Sequence, residues 1–153
     1  MTNSRQKGAA FEREIAKQLN LLLGTNLKRD LDQYRERDRG DLICDEPFPF
    51  LIECKARVSG GFQNEWWKQA YRAAIGTGQR PCVIYKINNK GIRVRVQIRA
   101  IVECLSGGRW SAEDQHICEI DLGGFAYLAR EAMNHSLTRA VTGRGTPTKG
   151  EKE

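Results

Sequence analysis

Apolar positions change their rhythm along the chain, and each change marks an element. Phe11, Ile15, Leu19 and Leu22 recur every three to four residues, which predicts a helix from Ser4 to Leu23, with Ser4 as N-cap and Gly24 as its stop. From Leu27 the rhythm becomes strand-like. Leu27 to Tyr34, Gly40 to Cys44 and Phe48 to Lys55 read as three successive short strands, the last two separated by the turn-prone Asp45-Glu46-Pro47. Gly60 and Gly61 open a loop, and Asn64 can then cap a helix carrying Trp66, Trp67, Gln69, Ala70, Tyr71, Ala74 and Ile75. Pro81 to Ile87 is a strongly apolar strand, joined through Asn88-Asn89-Lys90-Gly91 to the alternating run from Ile92 to Arg99. Val102 to Leu105 is expected to extend that sheet, and Gln115 to Ile120 to add a last strand. A helix from Gly124 to about Ala140 brings Phe125, Leu128, Ala132 and Leu137 back to the core. The order predicts one α/β domain over residues 1–140, a central mixed sheet flanked by helices, with a disordered basic tail over 141–153.

The chemistry concentrates at Glu53-Cys54-Lys55, which closes the apolar run Phe48-Pro49-Phe50-Leu51-Ile52. In a strand, Glu53 and Lys55 project to one face and Cys54 to the other. Asp41 lies on the preceding strand, and antiparallel pairing can bring it beside Glu53. Two carboxylates with no histidine nearby are hard oxygen ligands, which suit Mg2+ or Mn2+ better than zinc. Lys55 adds an ammonium that can serve an attacking water and neutralise phosphate charge. A bare Glu-x-Lys is also what an ordinary salt bridge between strands would look like, but core strands rarely carry uncompensated charge. Glu12 sits at the edge of the first helix's apolar stripe, away from Arg13 and Lys17, and can point toward the same place or into solvent.

These segments resemble the PD-(D/E)xK nuclease superfamily, and within it the Holliday junction resolvases of archaea and phages. The resemblance runs from about Lys7 to Ala74 and rests on Lys7-Gly8-Ala9-Ala10-Phe11-Glu12-Arg13-Glu14, Gly40-Asp41-Leu42-Ile43, Leu51-Ile52-Glu53-Cys54-Lys55 and Gln69. Gly40 stands where the superfamily's name has proline. The resemblance implies a restriction-endonuclease-like fold and a Mg2+-dependent or Mn2+-dependent DNA endonuclease. Asp41 and Glu53 would bind the metal with the backbone carbonyl of Cys54, and Lys55 would serve the hydrolytic water. Glu12 would complete the acidic pocket directly or through water, with Gln69 at its edge. A homodimer acting on four-way junctions is the implied form, since cutting two strands calls for two symmetric sites. The alternatives are an endonuclease for other branched, flapped or sequence-marked DNA, and a DNA-binding protein that has lost the activity.

Composition narrows the picture further. At 153 residues with 40% hydrophobic content, the chain can bury a sizeable core as one domain. Its net charge of +6, from 25 Lys plus Arg against 19 acids, favours a polyanionic partner. Arg35, Arg37 and Arg39, just before Asp41, and Arg57, after Lys55, are the first candidates for phosphate contacts. Arg93, Arg95 and Arg99 are expected on one strand face, which reads equally as a DNA channel wall and as a solvated surface. Adjacent tryptophans on one helix cannot both face one core. One of Trp66 and Trp67 is therefore expected to pack, and the other to be available to a base, a partner subunit or the loop, with packing or dimerisation favoured for both over base stacking. No apolar run is long enough for a membrane span and no signal peptide opens the chain, so a cytoplasmic protein is expected. The 5 cysteines, without a Cys-x-x-Cys pair, read as reduced and mostly buried. His116-x-Cys118 could seed a zinc site, but no further ligands suggest themselves.

Overall fold

A computed structural model describes residues 3–32, 39–108 and 116–142. The elements run α1 (Ser4–Leu23), β1 (Lys28–Arg29), β2 (Leu42–Ile43), β3 (Phe50–Arg57), α2 (Asn64–Ala74), β4 (Arg80–Ile87), β5 (Arg93–Gln97), α3 (Ile98–Ser106), β6 (Ile117–Ile120) and α4 (Leu122–Thr142). The strands form one sheet in the order β1-β2-β3-β4-β5-β6, with β3 and β4 parallel and the other pairs antiparallel. Parallel neighbours need a crossover, and α2 supplies it.

Strand alternation sorts the two faces. Phe50, Ile52 and Cys54 of β3 join Cys82 and Ile84 of β4 and Val94 and Val96 of β5 in the main core, which α1, α3 and α4 cover. Phe50 meets Phe125 of α4 edge-on at 4.9 Å between ring centres. Burying two such rings stabilises the fold by about 1.5–3 kcal/mol each. The other face carries Glu53, Lys55 and Arg57, and there Trp67 and Ala70 of α2 pack on Val83, Tyr85 and Ile87.

α1 has the predicted bounds, although its cap is Asn3, whose side chain accepts from the Arg5 N–H. Gly24 ends it at φ 68°, the left-handed conformation a glycine adopts without penalty. Leu22 and Leu137, expected in the apolar stripes of the first and last helices, are 45% and 66% exposed, and three further expectations need correction. Among the described residues the first strand is Lys28–Arg29, shorter than expected, because Asp30 turns inward, is 1% exposed and binds the Asp32 N–H, while the end of the expected span, 33–34, lies outside the described residues. Val102 to Leu105 lies in α3, not in a strand. Ala100 and Cys104 enter the core from that segment at helical spacing, with Ile98, Val102 and Leu105 outside. Arg99 accordingly leaves the strand face and pairs with Glu103, one helical turn on. The expected tail lies outside the described residues from 143 onward. Among the described residues, no helix is long and apolar enough to cross a membrane. Cys54, Cys82 and Cys104 are buried, Cys44 and Cys118 half-buried, and all five are free thiols.

Candidate active site

β2 pairs with β3 at Leu42 and Ile52, and Asp41 stands just ahead of that pair. Its N–H donates to the Ile52 carbonyl at 2.8 Å, and its own carbonyl accepts from the Asp30 N–H at 2.9 Å. So anchored, the side chain turns onto β3, where Oδ2 accepts the Cys54 N–H at 2.6 Å. Asp41 therefore lies against the peptide that joins Glu53 to Cys54. The approach depends on Gly40, because a Cβ there would lie 2.9 Å from the Ile52 carbonyl oxygen and 3.1 Å from the Leu51 side chain. A proline at that position would bring the same Cβ.

Glu53 is 1% exposed, and its two oxygens have different fates. Oε1 lies 2.7 Å from Lys55 Nζ, while Oε2 is buried with no hydrogen-bond partner. Lys55 Nζ also donates to Gln69 Oε1 at 3.1 Å, so α2 and β3 together aim the ammonium. Glu12 is buried at the rim and its Oε2 accepts from Arg29 Nε at 2.5 Å. The structure thus brings Asp41, Glu53, Lys55 and Gln69 together, with Glu12 adjoining and turned to Arg29.

Burial, and then the charge of Glu53, push the Asp41 carboxyl up to about 7, against the pull of the Cys54 N–H. Glu12 adds to that rise and Lys55 opposes it. Burial raises Glu53 as well, and Lys55 opposes that. The Cys54 thiol is pushed well up by burial and stays neutral in the core. One lysine does not balance two buried carboxylates, and an orphaned carboxylate oxygen is costly where water is excluded. Hard oxygens short of positive charge fit a divalent cation. Among the described residues no three His, Cys, Asp or Glu side chains form a metal-holding group, so the side-chain ligands this centre offers are the pair Asp41 and Glu53. The same fact leaves His116 and Cys118 without a zinc set.

Of the arginines expected at phosphates, Arg35 and Arg37 lie outside the described residues. Arg39 is tied to Asp30, its Nε 2.6 Å from Oδ2, and so neutralises a buried charge. Arg57 is exposed beyond Lys55, its guanidinium carbon 5.9 Å from the centre of the Trp66 ring. Two partnerships had little local signal: Arg29 in a two-residue strand reads as a wet charge, and Tyr85 as one more apolar strand residue. Only tertiary pairing sets the first against Glu12 and the second beside Lys55.

A sheet whose antiparallel entry delivers an aspartate to a Glu-x-Lys strand, followed by a crossover helix that supports the lysine, is the arrangement of a PD-(D/E)xK nuclease domain. The family described as "Phage putative PDDEXK endonuclease" matches residues 3–121, and the chain belongs to it. A solved structure of the Archaeoglobus fulgidus protein Hjc, a Holliday junction resolvase from an archaeal hyperthermophile, is similar at 17% identity and a TM-score of 0.47, over 92% of this chain and 99% of that one. No curated protein sequence matches the chain. Nucleases of the PD-(D/E)xK class generally use divalent metals.

Proposed function

We propose that the protein is a DNA endonuclease dependent on Mg2+ or Mn2+, with four-way junctions as its first candidate substrate and a homodimer as its working form. The observation that carries the chemistry is the stranded Oε2 of Glu53, beside Asp41 and an ammonium held by Gln69. Asp41 and Glu53 would hold the cation, with the Cys54 carbonyl as a further oxygen. When bound, the cation supplies Lewis acidity at the scissile phosphate and fixes its orientation. Lys55 neutralises phosphate charge and orients the attacking water, and Gln69 positions Lys55. Glu12, restrained by Arg29, adds negative charge at the rim and can act there through water. The positive balance of the chain suits a DNA strand across this face. The dimer follows from the junction, because two strands are cut and two-fold symmetry supplies two sites.

The test is a panel of four-way, flapped and linear DNAs with and without Mg2+. Paired symmetric nicks at the crossover are expected. Cutting confined to flaps or linear DNA would replace the junction by another substrate. Junction binding without any cleavage would mark a protein that has lost the activity. Lys55→Ala should slow single-turnover cleavage about 10²–10⁴-fold, the usual contribution of a group that serves proton transfer, while junction affinity changes little. An equal loss of affinity would make Lys55 a binding residue instead.

A further inference from the structure

The face that carries Lys55 continues into a cluster of rings and guanidiniums that the hydrolytic chemistry leaves unused. Directly paired strand residues share a face, so Tyr85, paired with Lys55, stands next to it. Trp66 lies three residues before Gln69 on α2 and therefore shares a side of that helix with the residue that holds Lys55. The Trp66 and Tyr85 ring centres are 6.0 Å apart, and Phe62 meets both edge-on, at 5.3 Å and 5.1 Å.

The two tryptophans divide the work of α2. Trp67 is 7% exposed and packs on Val83 and Tyr85, whereas Trp66 stays half-buried at the cluster's outer side. The two arginines divide likewise. Arg95 is fixed, its guanidinium 3.9 Å from the Phe62 ring centre and 3.4 Å from Glu119, which also accepts from Tyr85. Arg57 is exposed, pairs with no carboxylate among the described residues, and stands 5.9 Å from the indole centre, looser than a stacked contact. The result is a rigid aromatic base, an indole face under a displaceable cation, and continuity with the catalytic lysine.

We propose that Trp66 and Arg57 form a shelf for an unpaired nucleotide next to the scissile phosphate, the base stacking on the indole and Arg57 contacting its phosphate. Resting on the nuclease reading above, this names a feature of the substrate: at least one unstacked nucleotide beside the cut. A base inside a continuous duplex has both faces covered by its neighbours and cannot use the indole, whereas every exposed base has a face to offer. Positive charge around the rings matches the phosphates between which such a base lies.

The test is equilibrium binding of fluorescein-labelled DNA to the full chain in EDTA, where no cleavage intervenes. A duplex interrupted by a short single-stranded gap containing 2-aminopurine is compared with the same duplex made continuous. Trp66→Leu should weaken binding to the gapped DNA about 10-fold, within the range for losing one stacked base, and change the continuous duplex less than about 2-fold. Trp66→Phe should restore most of the affinity, and 2-aminopurine emission should be quenched by the wild type and by Trp66→Phe but not by Trp66→Leu. Arg57→Gln, at an exposed position, should weaken gapped DNA more than continuous duplex. Equal losses on both DNAs, or quenching that survives Trp66→Leu, would overturn the shelf. Failure of the wild type to cut any DNA with Mg2+ would sink the nuclease reading and leave this binding comparison intact.

Discussion

Two of the buried acidic centres differ sharply: the one around Glu103 is neutralised, and the one around Asp41 and Glu53 is not. At the start of β4, Glu103 is 5% exposed and each of its oxygens is 3.2 Å from a different guanidinium, those of Arg80 and Arg99. Arg80 uses a further N–H on the Gly108 carbonyl at 3.1 Å, so the charge is compensated and its hydrogen bonds are made. At the β2–β3 entry, Asp41 and Glu53 share one lysine, and an oxygen of Glu53 has no partner. A buried ion cluster that closes on itself needs no ligand to account for it, whereas like charges held together unpaired cost stability and persist where a function requires them. The contrast separates a structural network from a site that lacks positive charge.

The largest effect should come from breaking the closed centre. Glu103→Ala leaves two arginines without their acid and should cost about 3–5 kcal/mol in urea unfolding, with cleavage per folded molecule unchanged. A cost under about 1 kcal/mol would show that the network is weaker than its geometry suggests. Next comes filling the open centre. In the metal-free protein Asp41, raised from 3.8 to about 7, favours folding when protonated. That contribution is complete below the unfolded value and is lost as pH rises through the folded one, so metal-free stability should fall between about pH 4 and pH 7. Mg2+ at about 100 times its dissociation constant should then return about 2.7 kcal/mol near pH 8 in a thermal melt, and much less near pH 5, where Asp41 holds its proton. Equal shifts at both pH values would place the cation elsewhere. The smallest effect should come from removing one charge of the pair. Asp41→Asn keeps an acceptor for the Cys54 N–H and should raise metal-free stability near pH 8 by about 1–2 kcal/mol while abolishing the Mg2+ response. Destabilisation by that variant would mean that Lys55 already balances the pair.

Much of this was legible locally. The stripe Phe11, Ile15 and Leu19 marked α1, and the alternation in β3 placed Glu53 and Lys55 on one face and Cys54 on the other, because the periods of helix and strand are intrinsic to the backbone. Val102 to Leu105 misled because a short apolar run fits either period, and burial of Ala100 and Cys104 decided for the helix. Arg39 reads as a free basic residue until Asp30, nine positions earlier, turns inward to meet it.

The order of residues by itself determined α1, β3 and α2, the acids and lysine that the proposed chemistry would use, and a tryptophan pair that cannot both face one core. Tertiary structure alone decided which charges are balanced: that Glu12 is taken by Arg29, that Glu103 gathers two arginines, and that Glu53 keeps one oxygen unanswered. The reason is that secondary structure follows from neighbours along the chain, whereas compensation of a buried charge depends on groups that only chain closure brings within a few ångströms.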